Sequence, residues 1–444
     1  MAAERINLKI IPLCILCLFF LNFLSCANTR YFARLDDEVG RNNFSGAIEQ
    51  LEKNKSSLYS NRNNILYYLD KGMLSHFAEL HTDSSKLLEN AETAIEAAYT
   101  KSITQEIGSY LVNDNIRDYP GEDYEDVYIN VFNSLNYYHR GMIESAMVEI
   151  RKMNEKLEFL STKYDLIVSG LQKKAIEDKL ENIPSNPDAP VNFSDSALAR
   201  YMGMLFYRSS GLEDSARIDS EMLKVAFTNA PQIYTFPPPS SLAGELDIPR
   251  GMARLNIIAF SGLSPIKESN VMRILIPGPR WIKISLPVMV SRPSEVSRIE
   301  LVFDNSERFS LELLEDIEKV AIETFRTRQN VIYLKSVIRA MIKAIGSSVL
   351  GIAAGENEGN TRAILQLLSL FTQISAEVTE EADLRISRYF PARAYVGGIN
   401  LDPGTYSFDV VYYNRSGKQI AVEQYRDILV RENALNLIQS FHLK

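Results

Sequence analysis

The chain is poor in cysteine, tryptophan and histidine, with three, one and four of them in 444 residues. Two of the cysteines, Cys14 and Cys17, sit inside an apolar run near the start. Their C-x-x-C spacing lacks the polar, folded surroundings that a redox or zinc site needs. The third, Cys26, directly follows that run, so no disulfide framework is expected and the fold must be held by its core. The histidines, His76, His81, His139 and His442, have no metal-ligand spacing and no H-E-x-x-H motif, and they read as polar residues of helix surfaces. No glycine-rich phosphate loop follows a strand, and no G-x-S-x-G turn occurs. The sequence therefore points to no metal, no cofactor and no catalytic residue, and an enzyme is not expected. Basic charge is also short, with 48 Lys and Arg against 56 Asp and Glu and a net charge of −8. That balance argues against nucleic acid as a partner, because its binding displaces counterions with a basic surface. The acidic run Glu122, Asp123, Glu125, Asp126 lacks the alternation of a calcium loop and reads as the first turn of a helix, where carboxylates oppose the dipole.

What the start of the chain does contain is an address. Arg5 and Lys9 precede the apolar stretch Ile10 to Leu24, and Phe23-Leu24-Ser25-Cys26 closes it. The stretch is about 15 residues, and a spanning helix needs about 20. This is the layout of a secretory signal. It resembles the lipobox of bacterial lipoproteins, with Phe23 where leucine is commoner. The resemblance implies a signal peptide over residues 1–25, cleavage before Cys26, and acylation of Cys26 as the mature N-terminus. Ala27 and Asn28 place no aspartate after the cysteine, which by the same analogy implies the periplasmic face of the outer membrane, with the inner membrane and the cell surface as alternatives.

Residues 31 to 230 read as helices in which a short pattern recurs where one helix should turn into the next: Asn42 to Ala47, more loosely His81 to Lys86, Gly141 to Ala146, and Gly211 to Ala216. These resemble the second-helix entry of tetratricopeptide repeats, although the consensus tryptophan is absent. The resemblance makes Ala47, Ala146 and Ala216 close-approach positions, with Gly203 as the packing glycine of a first helix. Tyr67, Tyr68, Tyr137 and Tyr138 recur at comparable places in first helices. Most are expected to pack between helices, and some to line a concave partner surface. Two proline-rich stretches, 181–196 and 231–250, interrupt the helices and oppose helical backbone. The second is the expected boundary between a helical domain, 26–230, and a mixed α/β domain, 251–444.

Beyond residue 250, Leu255 to Phe260, Met272 to Ile276, Trp281 to Val290 and Arg298 to Phe303 have the short β-branched runs of strands. Helices are predicted over Leu311 to Thr327, Val331 to Ala354 and Thr361 to Ser387. The alternation Tyr406, Phe408, Val410, Tyr412 and the turn Asn414 to Gly417 then predict a C-terminal β-hairpin. Lys335, Arg339 and Lys343 fall in one slanting stripe, either facing anionic lipid or forming the solvated edge of a core helix. The expected fold class is α+β, a tetratricopeptide-like helical stack followed by a mixed strand and helix domain. The whole order is similar to a family of uncharacterised bacterial lipoproteins with an N-terminal tetratricopeptide-like region. It implies a non-catalytic scaffold that holds envelope proteins and meets the membrane through its N-terminal lipid. The alternatives are an enzyme or enzyme regulator acting on envelope polymers such as peptidoglycan, and a structural lipoprotein exposed at the surface.

Overall fold

A computed structural model describes residues 31–108, 117–177, 193, 195–276, 280–349 and 382–444. Cys26, nearly all of the 181–196 stretch and the predicted helix over 361–381 lie outside the described residues.

The N-terminal half is built of four antiparallel helical hairpins. They are α1 (31–40) with α2 (Phe44–Lys53), α4 (Asn64–Phe77) with α5 (His81–Gly108), α6 (Asp123–His139) with α7 (Ile143–Glu177), and α8 (Ala197–Ser209) with α9 (Glu213–Asn229). A short helix, α3 (Lys55–Leu58), links the first pair to the second. All four turns are made the same way. Asn42, Glu79, Gly141 and Gly211 take left-handed backbone, with φ of 57°, 60°, 73° and 70°. The next N–H in each case bonds to the carbonyl five residues back: Asn43 to Glu38, Leu80 to Ser75, Met142 to Tyr137 and Leu212 to Tyr207, at 2.8 to 2.9 Å. This is the double-bonded left-handed cap that glycine or asparagine favours, so Gly141, Gly211 and Asn42 explain their own turns. Glu79 adopts the same backbone without that help.

The repetition continues into the second helices. Five residues after each left-handed position stand Ala47, Ser84, Ala146 and Ala216, all fully buried. A Cβ on Gly203 would lie 2.1 Å from Oδ2 of Asp219 on α9, so only glycine lets α8 come this close.

The C-terminal half contributes strands β1 (Ala253–Leu263) to β5 (Arg308–Asp316), the helix α10 (Ile317–Val349), and strands β6 (Pro391–Leu401) to β9 (Asn436–His442). Seven strands form one sheet in the order β8-β7-β4-β5-β6-β1-β9, and β2 (Ile266–Ile276) pairs only with β3 (Arg280–Val290). The large sheet curls until its two edges, β8 (Gln419–Val430) and β9, face each other. Their gap is bridged by side chains: the Tyr425 hydroxyl donates to Gln439 O at 2.7 Å, and Glu423 accepts from Ser440 Oγ at 2.6 Å and Phe441 N–H at 3.2 Å.

Strand β1 explains how the halves join. Its alternation sends Leu255, Ile257 and Ala259 into the interior of the curled sheet with Ile299, Leu301 and Phe408 (β4 (Arg298–Phe303) and β7 (Gly404–Tyr413)). Ile258 and Phe260, on its other face, enter the core of the helical layer with Phe132, Met204 and Leu135. One core therefore spans both halves, and the 231–250 stretch does not divide two separate cores. That stretch inserts Ile233 and Tyr234 into the same core and makes a single 3-10 turn, Ser240–Gly244.

Two further sequence expectations are corrected. Residues 311–316 are strand β5 rather than the start of a helix, and α10 then runs unbroken from Ile317 through the expected break at 328–330. Residues 382–388 are not helical. The hairpin after Tyr406 is present as β7–β8, but as part of the seven-stranded sheet.

Candidate functional site: the seam beneath the helical turns

The hairpin turns overhang the open seam between β8 and β9. A cavity of about 490 Å³ lies there, lined by Glu79, His81, His139, Tyr425, Leu437 and Gln439 among others. A second, of about 290 Å³, adjoins it at Glu79 and Phe441 and is closed by the Asn42 turn and Glu423.

Three of the four histidines meet in this place. Asn136 on α6 fixes their protons: its Nδ2 donates to Ser84 Oγ at 2.8 Å, so its Oδ1 is left to accept from Nδ1 of His76 at 2.7 Å and of His81 at 3.1 Å. His76 Nε2 is then an acceptor, and Gln439 Nε2 on β9 donates to it at 2.6 Å. Gln439 Oε1 in turn accepts from His139 Nε2 at 3.0 Å. The rings of His81 and His139 stack, with centroids 4.4 Å apart and planes 6° from parallel. Burial pushes the His76 imidazole down to about 3, and it also lowers His81 and His139. All three are neutral at pH 7. The sequence reading of the histidines as helix-surface residues is thus corrected for two of them, since His76 is fully enclosed and His442 is buried on strand β9, while His139 is exposed and His81 half-buried at their helix ends. A signal was present: His76 and His81 bracket the turn at Glu79, and His139 stands just before the equivalent turn at Gly141. Residues at matching turns of stacked hairpins come together in space although no linear spacing reveals it.

Chemically, the seam offers neutral hydrogen-bonding imidazoles, a stacked ring face and the carboxylates of Glu79 and Glu423. Among the described residues no group of three or more His, Cys, Asp or Glu is arranged to hold a metal ion.

The other predicted site residues fall as follows. Tyr67 is buried, and its hydroxyl donates to Glu52 at 2.7 Å, while Tyr68 packs against the core. Tyr137 donates to Glu89 at 2.7 Å. The Tyr138 hydroxyl accepts from Leu437 N–H at 3.0 Å and lies 3.2 Å from the carbonyl oxygens of Leu435 and Leu437. Tyr138 therefore grips the protein's own strand β9, and the side of the helical layer it was expected to offer to a partner carries the sheet instead. Lys335 is only 2% exposed, so it presents no charge to lipid or solvent. Arg339 and Lys343 follow on the same helix, with side chains outside the described ones.

At the opposite end of the layer, the acidic run begins α6 as anticipated. Glu125 Oε2 accepts from the Glu122 N–H at 2.8 Å, and its carboxylate also receives Tyr119 Oη at 2.7 Å and Ser387 N–H at 2.6 Å. Burial, and next the charge of Glu122, push Glu125 up from 4.5 to about 7. A carboxyl raised in the folded state binds more protons there than in the unfolded chain between these values. Stability from this group is therefore full below about pH 4.5 and is lost as pH rises towards 7, by roughly 3 kcal/mol. Urea midpoints measured from pH 4 to 8 are expected to show that fall, reduced in Glu125→Gln; an unchanged slope in the variant would assign the titration to another group.

No protein-family model, no curated protein and no solved structure matches this chain.

Proposed function

We propose that the protein is a non-catalytic lipoprotein of the bacterial cell envelope, anchored through Cys26 and holding a partner protein at the turn edge of its helical layer. The hairpins are read as irregular tetratricopeptide-like repeats, supported by the shared turn geometry, the small residue five positions on, and the close approach at Gly203. The helices α1, α4 and α6 all run towards the seam, because the turns that end them line its two cavities. A lipid shortly before α1 would thus hold the turn edge away from the bilayer, free to meet another protein.

The observation that carries the partner reading is an apolar row at that edge. Leu80, Met142 and Leu212 each directly follow the left-handed residue of their turn, and they remain 46%, 40% and 46% exposed. In such a cap this residue usually folds back to cover the last helical turn. Here nearly half of each side chain stays in water, in three consecutive hairpins that pack side by side. An exposed apolar row beside a polar pocket has the anatomy of a protein interface, an apolar centre with a hydrogen-bonding rim.

The test is site-specific photocrosslinking in membranes from the lipidated, full-length protein. A probe at Met142 is expected to give one discrete adduct that a probe at exposed Glu221 does not. Leu80→Glu and Leu212→Glu should each weaken that adduct about tenfold, as anchor residues do. Thermal stability should change by no more than about 0.5 kcal/mol, as for surface positions. An adduct indifferent to both substitutions would remove the row from the interface.

A further inference from the structure

The larger seam cavity presents hydrogen-bond acceptors, while the protons of its imidazoles and hydroxyls are held by the protein itself. Asn136 Oδ1 takes the Nδ1 proton of His81, so His81 Nε2 carries a lone pair. Gln439 Oε1 takes the Nε2 proton of His139, which leaves His139 Nδ1 in the same condition. The Tyr425 hydroxyl donates to Gln439 O at 2.7 Å, and the Tyr138 hydroxyl, which accepts from Leu437 N–H, has the carbonyls of Leu435 and Leu437 within reach of its own proton. Glu79 adds a carboxylate to this lining. Among the described residues, His81 Nε2, His139 Nδ1 and the Glu79 side chain have no hydrogen-bond partner.

Charge points the same way. Neither cavity has a lysine or arginine in its lining, while Glu79 lines both and Glu423 lines the smaller one. The two carboxylates act on each other: burial raises the Glu423 carboxyl, its hydrogen bonds oppose that shift, and the charge of Glu79 adds to it. Arg140, the cation that acts on His81, lies over the Tyr137 ring at 5.3 Å and stands outside the lining. A carboxylate without a cation, set beside neutral imidazole acceptors, favours a positively charged group that carries several N–H donors. The backbone is consistent with this, because Glu79 holds the left-handed conformation that asparagine or glycine takes in the other three turns. Glycine would form that turn with less strain, and glutamate places a charge at the junction of the two cavities.

The neighbours of these residues identify the source of the cation. Leu80 follows Glu79, and Met142 follows Gly141, which also lines the cavity, so the exposed apolar row borders its opening. A free amine would satisfy the acceptors and leave that row in water.

We propose that the seam cavity receives an arginine side chain of the partner protein, its guanidinium donating to Glu79 and to the free imidazole nitrogens beside it. The inference rests on the partner reading above and names the chemistry of that partner. A guanidinium is planar, offers a fork of donors and packs on aromatic faces, here the rings of the stacked histidines, whereas an ammonium is a compact point charge. The cavity volume of about 490 Å³ falls in the range of roughly 300 to 1,000 Å³ that ligand pockets occupy. Arginine is also among the residues that most often anchor an interface.

The experiment uses the untagged mature chain with Cys26→Ala, whose four histidines keep the imidazole nuclear magnetic resonance spectrum simple. N-acetyl-arginine amide at millimolar concentration is expected to shift the His81 and His139 signals and to leave His442 in place. N-acetyl-citrulline amide, which has nearly the same shape without the charge, should bind at least about fivefold more weakly. Glu79→Gln should weaken the response to the arginine probe about tenfold. Glu79→Gly should lose it too while melting no lower than the native protein, which separates lost recognition from lost folding. In membranes, Glu79→Gln should weaken the Met142 adduct about fivefold. Imidazole signals that ignore the arginine probe, or follow citrulline equally, would overturn the proposal and leave the apolar row standing. A response to the probe with an adduct indifferent to Glu79→Gln would overturn the partner as the source and assign the cavity to a free cation. Absence of any Met142 adduct would overturn the partner reading, and this proposal with it.

Discussion

A chain split within 231–249 is expected to yield two fragments, neither of which unfolds cooperatively alone. The reason is the larger core, which both halves build, whereas the interior of the curled sheet belongs to the C-terminal half alone. Phe132 of α6 meets Phe260 of β1 with centroids 5.2 Å apart, Tyr124 meets Phe390 at 5.8 Å, and Phe44 and Phe77 meet Phe441 of β9 at 5.4 and 5.1 Å. Removing one large aromatic side chain from a core costs about 3 to 5 kcal/mol, and a split removes the partners of several at once. That total exceeds the roughly 5 to 15 kcal/mol by which ordinary proteins are stable. Circular dichroism and urea titration of the separate fragments should show helix content without a sharp transition. Mixing or co-expressing them should restore the transition and bury Trp281's half of the chain with its helices. A helical fragment with its own cooperative transition would show that the four hairpins suffice as a core.

The features legible in the sequence are those that local chemistry dictates. The hairpin turns announced themselves through Asn42-Asn43, Gly141 and Gly211, because left-handed backbone selects such residues. The strand Leu255 to Phe260 showed the short apolar, β-branched run of a strand buried on both faces, and Tyr406 to Tyr412 the two-residue period. Strand β5 was hidden for a corresponding reason. Leu311-Glu312-Leu313-Leu314-Glu315-Asp316 is made of residues that favour helix, and it is extended only because β4 and β6 hold it on both sides, with a bulge between Leu313 and Glu315. Strand β9 is seven residues long and parallel to β1, a pairing across the whole domain that leaves no local mark. The histidine cluster depends on the same long-range contact, since Gln439 of β9 joins His76 to His139. The tyrosines were correctly sensed as recurring contacts of first helices, but sequence could not say that Tyr138 would meet the chain's own strand.

Replacing Glu315 by alanine is expected to be the most damaging single substitution in the fold. Its carboxylate, fully buried at the bulge of β5, accepts from Ser196 Oγ at 2.7 Å, from the Leu198 N–H at 2.9 Å, from Tyr234 Oη at 2.9 Å, and from Tyr128 Oη. These donors come from α6, α8 and the 231–250 stretch, so one residue of the sheet ties together three parts of the helical layer. Burial raises the Glu315 carboxyl above its usual range, while the hydrogen bonds and the N-terminus of α8 oppose that shift. In Glu315→Ala the four donors remain buried without an acceptor and the side-chain volume is left empty, a loss of about 3 to 5 kcal/mol. Glu315→Gln keeps the volume but offers donors to donors, and should fall between alanine and the native residue. Tyr128→Phe and Tyr234→Phe each remove one donor and leave the carboxylate its other partners, so each should cost only about 1 kcal/mol. Urea titration of the series orders these values; if alanine prevents folding, the tyrosine variants and glutamine still supply the comparison. A Glu315→Gln protein as stable as the native one would show that the charge contributes nothing, and an alanine variant no weaker than Tyr128→Phe would show that the halves are joined by apolar packing alone.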